Sequence, residues 1–193
     1  MLSNFDEMDI LACKVLIKRK LEKDFYPLLG PLSKHYFYLT GGAIASLLQN
    51  ETPKDWDMYC RSSVPAQATI DRAKDANMIE TVNEKYAKVM NLDGNLLITM
   101  NACTLKNKIQ LITRFYGEPR DTRATFDFKH CVPYYDCGED KLYISEEQYR
   151  LIKQKQLVLN NPLSWTRHRQ EKFEKRGYTL AEHTIGAREA MLA

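Results

Sequence analysis

The feature that most restricts the fold is a glycine pair, Gly41-Gly42, separated by twelve residues from an Asp55-Trp56-Asp57 triplet. Before the glycines, the aromatic segment from His35 to Leu39 predicts a short strand. After them, Ala43 to Leu48 predicts a short, mostly buried helix, and Trp56 to Cys60 predicts a second strand. The chain therefore predicts a strand, a glycine turn, a helix, a loop and a second strand, in that order.

The two carboxylates of the triplet are well placed to bind a divalent cation. Side chains at positions i and i+2 of a strand share a face, so Asp55 and Asp57 would lie together while Trp56 and Met58 enter the core. Hard cations such as Mg²⁺ and Mn²⁺ prefer carboxylate oxygens. The Thr40-Gly41-Gly42 turn, with a helix N-terminus behind it, suits the phosphates of a nucleoside triphosphate such as ATP. The pattern thus indicates a nucleotide and metal site.

Each half of this pattern also has an ordinary structural interpretation. Asp55 and Asp57 could be helix caps or loop acids, because an Asp-x-Asp sequence is common. Gly41-Gly42 could form any turn. The combination, at this spacing and between two predicted strands, is what favours the functional interpretation.

The DNA polymerase β-like nucleotidyltransferase superfamily has a signature that this chain resembles at Leu39-Thr40-Gly41-Gly42, Leu47-Leu48, Pro53 and Asp55-Trp56-Asp57. The chain looks most like the tRNA CCA-adding enzymes and bacterial poly(A) polymerases, in the form of a compact phage-encoded relative. The resemblance implies an α+β fold, with a mixed β-sheet flanked by helices and a C-terminal helical extension. It also implies that Asp55 and Asp57 are catalytic. The reaction would be Mg²⁺- or Mn²⁺-dependent transfer of a nucleoside monophosphate from a nucleoside triphosphate to an acceptor hydroxyl, with an RNA 3′ end as the acceptor.

Later segments extend the resemblance to about residues 35–180. Lys108 to Arg114 resembles a strand that carries a third acid in the family, where this chain has Gln110. Gln110 is therefore a candidate metal ligand, although its amide oxygen adds no negative charge. Phe126-Asp127-Phe128 resembles an Arg-Asp-Phe element, and Asp127 either caps a local turn or is a third catalytic acid.

Two departures from the family keep other functions open. Ala45-Ser46 stands where the family has an Arg-Asp pair, and Gln110 stands where it has an acid. One alternative is a binding protein that keeps the fold, engages RNA, a nucleotide or a protein, and performs no chemistry. Another is an enzyme that nucleotidylates a protein or a small molecule. Arg114 and Arg123 either neutralise the triphosphate or solvate the surface.

Basic residues are concentrated toward the C-terminus. Residues 141–176 contain nine Lys and Arg against four Asp and Glu, an excess of 9 − 4 = +5 that exceeds the net charge of +3 of the whole chain. Arg167, Arg169, Lys172 and Arg176 recur there at helical spacing. They are candidates for binding RNA, since a phosphate backbone is the natural partner of a basic patch. The alternative is an exposed basic helix face.

The remaining elements are predicted from local signals. Helices are predicted over residues 7–25 and Val64 to Asn77, and a strand pair over Leu96 to Met100 and Ile109 to Phe115 with its turn near Lys106-Asn107. Ser145 to Gln148 fits a capping box, and Pro162 is predicted to open a helix that stops at Gly177. The chain divides into a catalytic domain over residues 1–144 and a neck-like helical extension over residues 145–193.

The location of the protein is predicted from what the sequence lacks. Its first ten residues, MLSNFDEMDI, carry neither the basic nor the apolar region of a signal peptide, and there is no apolar run of 18 residues. Five widely spread cysteines indicate free thiols in a reducing interior. We expect a cytoplasmic protein with no membrane partner, acting in a host cell if it is viral. The sequence leaves the oligomeric state open.

Overall fold

The computed structural model describes residues 6–80, 102–181 and Thr184, and these form an α+β arrangement of a mixed sheet flanked by helices. The six strands of the sheet are β1 (Phe37–Thr40), β2 (Trp56–Cys60), β3 (Ala102–Thr104), β4 (Ile109–Tyr116), β5 (Tyr134–Asp136) and β6 (Lys141–Tyr143). The helices are α1 (Glu7–Asp24), α2 (Tyr26–Leu29), α3 (Gly42–Leu48), α4 (Ser63–Asp75), α5 (Pro119–Ala124), α6 (Glu146–Lys153) and α7 (Arg167–Glu174). The predicted fold class is confirmed.

The sheet places the two strands of the glycine and aspartate signature at its centre. Its strand order is β3-β4-β2-β1-β5-β6. Strand β2 pairs antiparallel with β1 and parallel with β4, and the other neighbours are antiparallel. Because β1 and β2 are each paired on both sides, the turn after β1 and the entry to β2 are held by interior strands of the sheet.

The predicted N-terminal helix is confirmed as α1, which covers one face of the sheet. Asp6 caps it, since its side-chain oxygen accepts hydrogen bonds from the backbone N–H groups of Met8 at 2.9 Å and Asp9 at 3.2 Å. The inner face of α1 completely buries Ile17 and Leu21. Each side chain of this size stabilises the fold by about 1.5–3 kcal/mol when it leaves water.

A second apolar cluster packs α7 against the rest of the molecule. Phe173 of α7 is buried against Phe128 and Tyr178, and Trp165 packs on the edge of this cluster. His130 lies inside it, in contact with the rings of Phe173 and Tyr178, and burial lowers the pKa of His130 to about 3. The imidazole is therefore neutral at physiological pH, and this packing keeps the basic helix over the sheet.

The structure differs from the predicted elements after β4. Pro162 opens only a single 3-10 turn (Pro162–Ser164), because Thr166 caps α7 and its helix begins at Arg167. The region after residue 144 also includes a two-stranded parallel sheet of β7 (Gln156–Leu157) and β8 (Thr179–Leu180), so it is not helix alone. The short strand β5 was not predicted. The capping box at Ser145 is confirmed.

The hairpin predicted before residue 116 is confirmed in part. Strand β4 and the turn at Lys106-Asn107 are confirmed, but the described strand that pairs antiparallel with β4 across this turn is β3, which was not predicted. The predicted strand Leu96 to Met100 lies outside the described residues.

All five cysteines are free and buried. Among the residues that the structure describes, no helix has the length and apolar character needed to span a bilayer.

Candidate functional site

Strand β2 sorts its side chains between the core and a cavity. Trp56 and Met58 are 7% and 0% exposed and belong to the main core, as predicted. The alternate residues Asp57 and Tyr59 line a cavity of about 560 Å³. Asp55, directly before the strand, lines the same cavity, so the expected alternation brings both carboxylates to one side.

The glycine turn faces this aspartate pair. Gly41 has φ +93° and ψ −153°, a conformation that is essentially restricted to glycine. A Cβ atom placed on Gly41 would lie 3.1 Å from Oδ2 of Asp57, whereas one on Gly42 would meet no atom within 4 Å. The Gly41 N–H donates to the carbonyl of Cys131 at 3.2 Å, so it is engaged within the protein. Gly42, at the first position of α3, leaves the cavity wall open.

Burial and mutual repulsion act on the carboxylate pair. Burial raises the pKa of Asp57 to about 6, and the neighbouring charge of Asp55 adds to the increase. Lys172 and Arg169 lower the same pKa, but their effect is smaller. The site therefore concentrates negative charge that a bound cation would relieve.

Gln110 lies beside Asp57 in the sheet. The two residues are directly paired across the parallel strands β4 and β2, which points their side chains to the same face. Among the described residues, Gln110 is not one of those that line the cavity. The structure thus places this predicted ligand next to the aspartate pair but at the edge of the site.

Helix α7 and the residues after it form the opposite wall. Basic side chains line the cavity there: Arg169, Lys172, Lys175 and Arg176. Three of them were predicted as nucleic-acid-binding residues. The fourth predicted residue, Arg167, pairs with Glu171 at 2.9 Å, its side chain is 87% exposed, and it is outside the cavity. The basic wall and the acidic pair therefore face one another across a space about the size of one nucleotide.

Asp127 acts on this wall rather than on the aspartate pair. Its side chain is 4% exposed and accepts two hydrogen bonds from the Arg169 guanidinium, at 2.8 and 3.2 Å. One of its oxygens also accepts the Phe128 N–H at 3.0 Å. Asp127, the predicted third acid, is thus paired with Arg169, and this contact orients the Arg169 side chain in the cavity wall.

Arg176 makes a contact that the sequence did not reveal. It donates to the Ser46 hydroxyl at 2.9 Å and pairs with Glu51 at 3.1 Å, and Lys155 pairs with the same carboxylate at 2.8 Å. Ser46 belongs to the helix in which the family's Arg-Asp pair is replaced. A guanidinium from the C-terminal segment therefore contacts this helix, although the two residues are 130 positions apart in the sequence.

The other predicted phosphate-binding residues are not brought to the cavity. Thr40 is buried, and its hydroxyl donates to the Pro133 carbonyl at 2.8 Å. Arg123 donates to the carbonyls of Pro119 and Val132 and stacks on Tyr134. Arg114 is exposed on β4, 5.2 Å from the centre of the Phe115 ring. Within the described part of the chain, these three side chains contact other parts of the protein and do not line the cavity.

Comparison with known proteins places most of the chain in a family. The family model described as "Gad2: Gabija anti-defense 2 family protein" matches residues 12–155. The chain belongs to the Gabija anti-defense 2 family. A relative named "Gabija anti-defense 2", from Bacillus phage SPbetaL7, is 23% identical over 159 residues, which are 80% of this chain and 37% of the relative. The chain thus spans little more than a third of that relative's length.

Solved structures with the same fold include CCA-adding enzymes and a tRNA nucleotidyltransferase. The apo form I of a CCA-adding enzyme matches with a TM-score of 0.58 at 17% identity, covering 91% of this chain and 45% of that one. The Thermotoga maritima CCA-adding enzyme in complex with tRNA matches with a TM-score of 0.55 at 17% identity, covering 95% and 42%. A tRNA nucleotidyltransferase with a primer tRNA and an incoming ATP analog matches with a TM-score of 0.57 at 13% identity, covering 81% and 46%.

These structural matches concern the fold. The resemblance predicted from the sequence is confirmed, and the chain has a nucleotidyltransferase-like fold. It spans less than half the length of each of these three enzymes.

Proposed function

We propose that the protein is a metal-dependent nucleotidyltransferase that transfers a nucleoside monophosphate from a nucleoside triphosphate to an RNA 3′ hydroxyl. The observation that carries the proposal is the approach of the Asp57 carboxylate to the Gly41 backbone, with a basic wall across the cavity. In the reaction, the acceptor oxygen forms a bond to the α-phosphorus. The bond from that phosphorus to the β-phosphate bridging oxygen breaks, pyrophosphate leaves, and the hydroxyl proton passes to solvent.

The donor set is compatible with a divalent cation. Proteins usually hold Mg²⁺ through one or two carboxylates together with substrate phosphates, and Asp55 and Asp57 supply two carboxylates on one side of the cavity. No cluster of three or more His, Cys, Asp or Glu residues with ligand geometry occurs within the described ranges, so the triphosphate oxygens would complete the coordination. A bound Mg²⁺ or Mn²⁺ would neutralise phosphate charge and lower the pKa of the attacking hydroxyl.

The chain's own residues would then bind and orient the substrate. Gly42 allows the phosphates to approach α3 closely, because no side chain stands there. Arg169, held by Asp127, and Lys172 would contact the triphosphate from the opposite wall. Tyr59 and Phe126, whose ring centres are 6.0 Å apart, form the apolar part of the cavity lining, next to which the nucleoside would lie.

The relatives support the proposed acceptor and biological setting. Two of the similar solved enzymes are in complex with tRNA, one of them also with an incoming ATP analog, which supports an RNA acceptor. The curated relative comes from a phage and is named for anti-defense against Gabija. We infer that this protein acts inside an infected host cell and that its chemistry serves the same anti-defense role.

A second candidate is a binding protein with the same fold and no chemistry. Gln110 motivates it, because an amide beside Asp57 replaces the negative charge of the family's third acid. Such a protein would bind a nucleotide or RNA without consuming the nucleotide, and its binding would show no dependence on Mg²⁺.

The deciding experiment supplies total RNA, Mg²⁺ or Mn²⁺ and each α-labelled nucleoside triphosphate in turn. We expect label in RNA with one or two of the nucleotides, and none with an Asp55→Ala/Asp57→Ala control that remains folded. Label in a protein or a small molecule would retain the chemistry and replace the acceptor. Absence of label with a folded protein, together with Mg²⁺-independent nucleotide binding, would favour the binding protein.

Two basic residues of α7 provide a matched test of the basic wall. Lys172 lines the cavity, whereas Arg167 lies outside it and pairs with Glu171, an acid that lines the cavity. Replacing Lys172 by Ala should raise the KM for the nucleotide about tenfold, since one charged contact to phosphate is lost. Arg167→Ala should leave KM within about twofold of the wild-type value. Equal effects of the two substitutions in steady-state kinetics would show that net charge, rather than the cavity wall, matters.

A further inference from the structure

Helix α1 leaves an apolar stripe uncovered on its outer face. Met8, Leu11, Val15 and Leu16 are 72%, 51%, 37% and 46% exposed. At 3.6 residues per turn they fall within an arc of about 140° around the helix, with Leu16 at one edge of that arc. These four make up half of the eight large hydrophobic side chains that are exposed in the described part of the chain. Scattered exposed residues are ordinary, but a concentrated stripe marks a contact surface.

The charges of α1 divide into those paired within the molecule and those left free. The paired residues lie on the flanks of the helix: Asp9 with Lys153, Lys14 and Lys18 with Asp140, and Lys20 with Asp24. Glu7 lies at the N-terminal end of the stripe, and Arg19, Glu22 and Lys23 lie beyond its C-terminal end. Within the described residues these four form no ion pair. The stripe therefore has an acidic end and a C-terminal end that is basic by one net charge, because two bases there outnumber one acid.

We propose that this face of α1 is a homodimer interface, in which the helices of two copies pack antiparallel about a two-fold axis near Ala12. Such a pair places Met8 of one copy opposite Leu16 of the second and buries both stripes. It also brings the acidic end of each helix to the basic end of the other, whereas a parallel pair would bring like charges together. The helix dipoles are antiparallel in the same arrangement, which is favourable.

The size of the stripe sets the expected strength of the dimer. Helix α1 has 18 residues and is therefore about 27 Å long. One helix face of that length buries less than the roughly 800 Å² per partner of a standard stable interface. We therefore expect a reversible dimer whose population depends on protein concentration.

Sedimentation of the full chain over a wide concentration range tests the interface. The mass should rise from the 22.5 kDa monomer toward twice that value. Leu11→Asp should raise the dissociation constant at least tenfold. Leu163→Asp should leave it unchanged, because Leu163 is 89% exposed but lies outside α1. A monomer at every concentration, or equal effects of the two substitutions, would overturn the proposal.

Charge reversal tests the antiparallel geometry. Glu7→Lys and Arg19→Glu should each weaken the dimer, because each leaves two like charges facing across the axis. The double variant restores opposite charges and should recover the wild-type dissociation constant. A double variant weaker than both single variants would exclude the antiparallel pair.

Disulfide trapping gives an independent geometric test. Native cysteines should not interfere, since all five are buried. Met8→Cys mixed with Leu16→Cys should cross-link under mild oxidation, and neither variant should cross-link efficiently with itself. Self-cross-linking of Met8→Cys would indicate a parallel pair and contradict the proposal.

Discussion

Replacing Asp57 by Asn is expected to reduce nucleotidyl transfer by about 10³-fold or more. The amide keeps the shape of the side chain but loses the charge needed to hold a divalent cation beside the triphosphate. The backbone of residue 57 lies in the centre of the sheet, paired with Gln110, and the substitution does not alter this pairing. The labelled-nucleotide assay, run with equal amounts of folded wild-type and variant protein, measures the loss.

The same substitution should stabilise the metal-free protein. Burial, together with the charge of Asp55, raises the pKa of Asp57 from 3.8 to about 6. A carboxyl group whose pKa is higher in the folded chain than in the unfolded chain destabilises the folded state once it is ionised. This destabilisation is absent below about pH 4 and complete above about pH 6. Asp57→Asn should therefore increase the free energy of unfolding at pH 7.5 by about 1–3 kcal/mol.

Denaturation in the presence of a chelator, from pH 4 to pH 8, separates this effect from misfolding. The wild-type protein should lose stability relative to the variant as the pH rises, and the two should converge at the acidic end. Adding Mg²⁺ and nucleotide should then stabilise the wild type alone. If Asp57→Asn proved less stable than the wild type at neutral pH, the carboxylate would be a structural group and the proposed site would be wrong.

The sequence predicted the centre of the fold because the signals there are local and strong. Strand β2 was predicted over Trp56 to Cys60, the bounds that it has in the structure. Its alternation of buried and cavity-facing side chains follows from strand geometry alone. The glycine turn was predicted because two consecutive glycines between a strand and a helix are typical of a tight turn.

The contacts that shape the basic wall could not be predicted in this way. Asp127 pairs with Arg169 across 42 residues, and Ser46 pairs with Arg176 across 130. No periodicity or local motif encodes such distances, which depend on how α7 packs on the cluster around Phe173. A buried acid between two aromatic residues did indicate that Asp127 needed a partner, but not that the partner would be an arginine from the C-terminal segment.

Short elements were missed for a different reason. Strand β5 has only three residues and directly follows Pro133, so it presents too little pattern to be distinguished from a loop. Its place in the sheet comes from pairing with β1 and β6. Pro162 predicts the start of an α-helix because proline is common at the first helical position, but here it opens a 3-10 turn.

Gly41→Ala is expected to impair both stability and activity. With φ +93° and ψ −153°, the backbone of Gly41 lies in a region that other residues enter at a cost of about 1–3 kcal/mol. The added methyl group would also lie 3.1 Å from Oδ2 of Asp57 and push the carboxylate aside. Because a displacement of about 1 Å at a reacting centre can cost 10²-fold, transfer should fall by about that factor in addition to the loss of stability.

Gly42→Ala is the matched control, because the two glycines are adjacent but meet different surroundings. A methyl group on Gly42 contacts nothing within 4 Å, and alanine favours the helical position that Gly42 occupies. Its free energy of unfolding should therefore equal or slightly exceed that of the wild type, while the KM for the nucleotide rises if phosphates approach α3 at this point. Chemical denaturation and nucleotide titration of both variants measure the two effects separately.

If Gly41→Ala proved as stable as Gly42→Ala, the glycine turn would not be held against Asp57 as described. If neither variant altered nucleotide affinity, the triphosphate would bind elsewhere in the cavity.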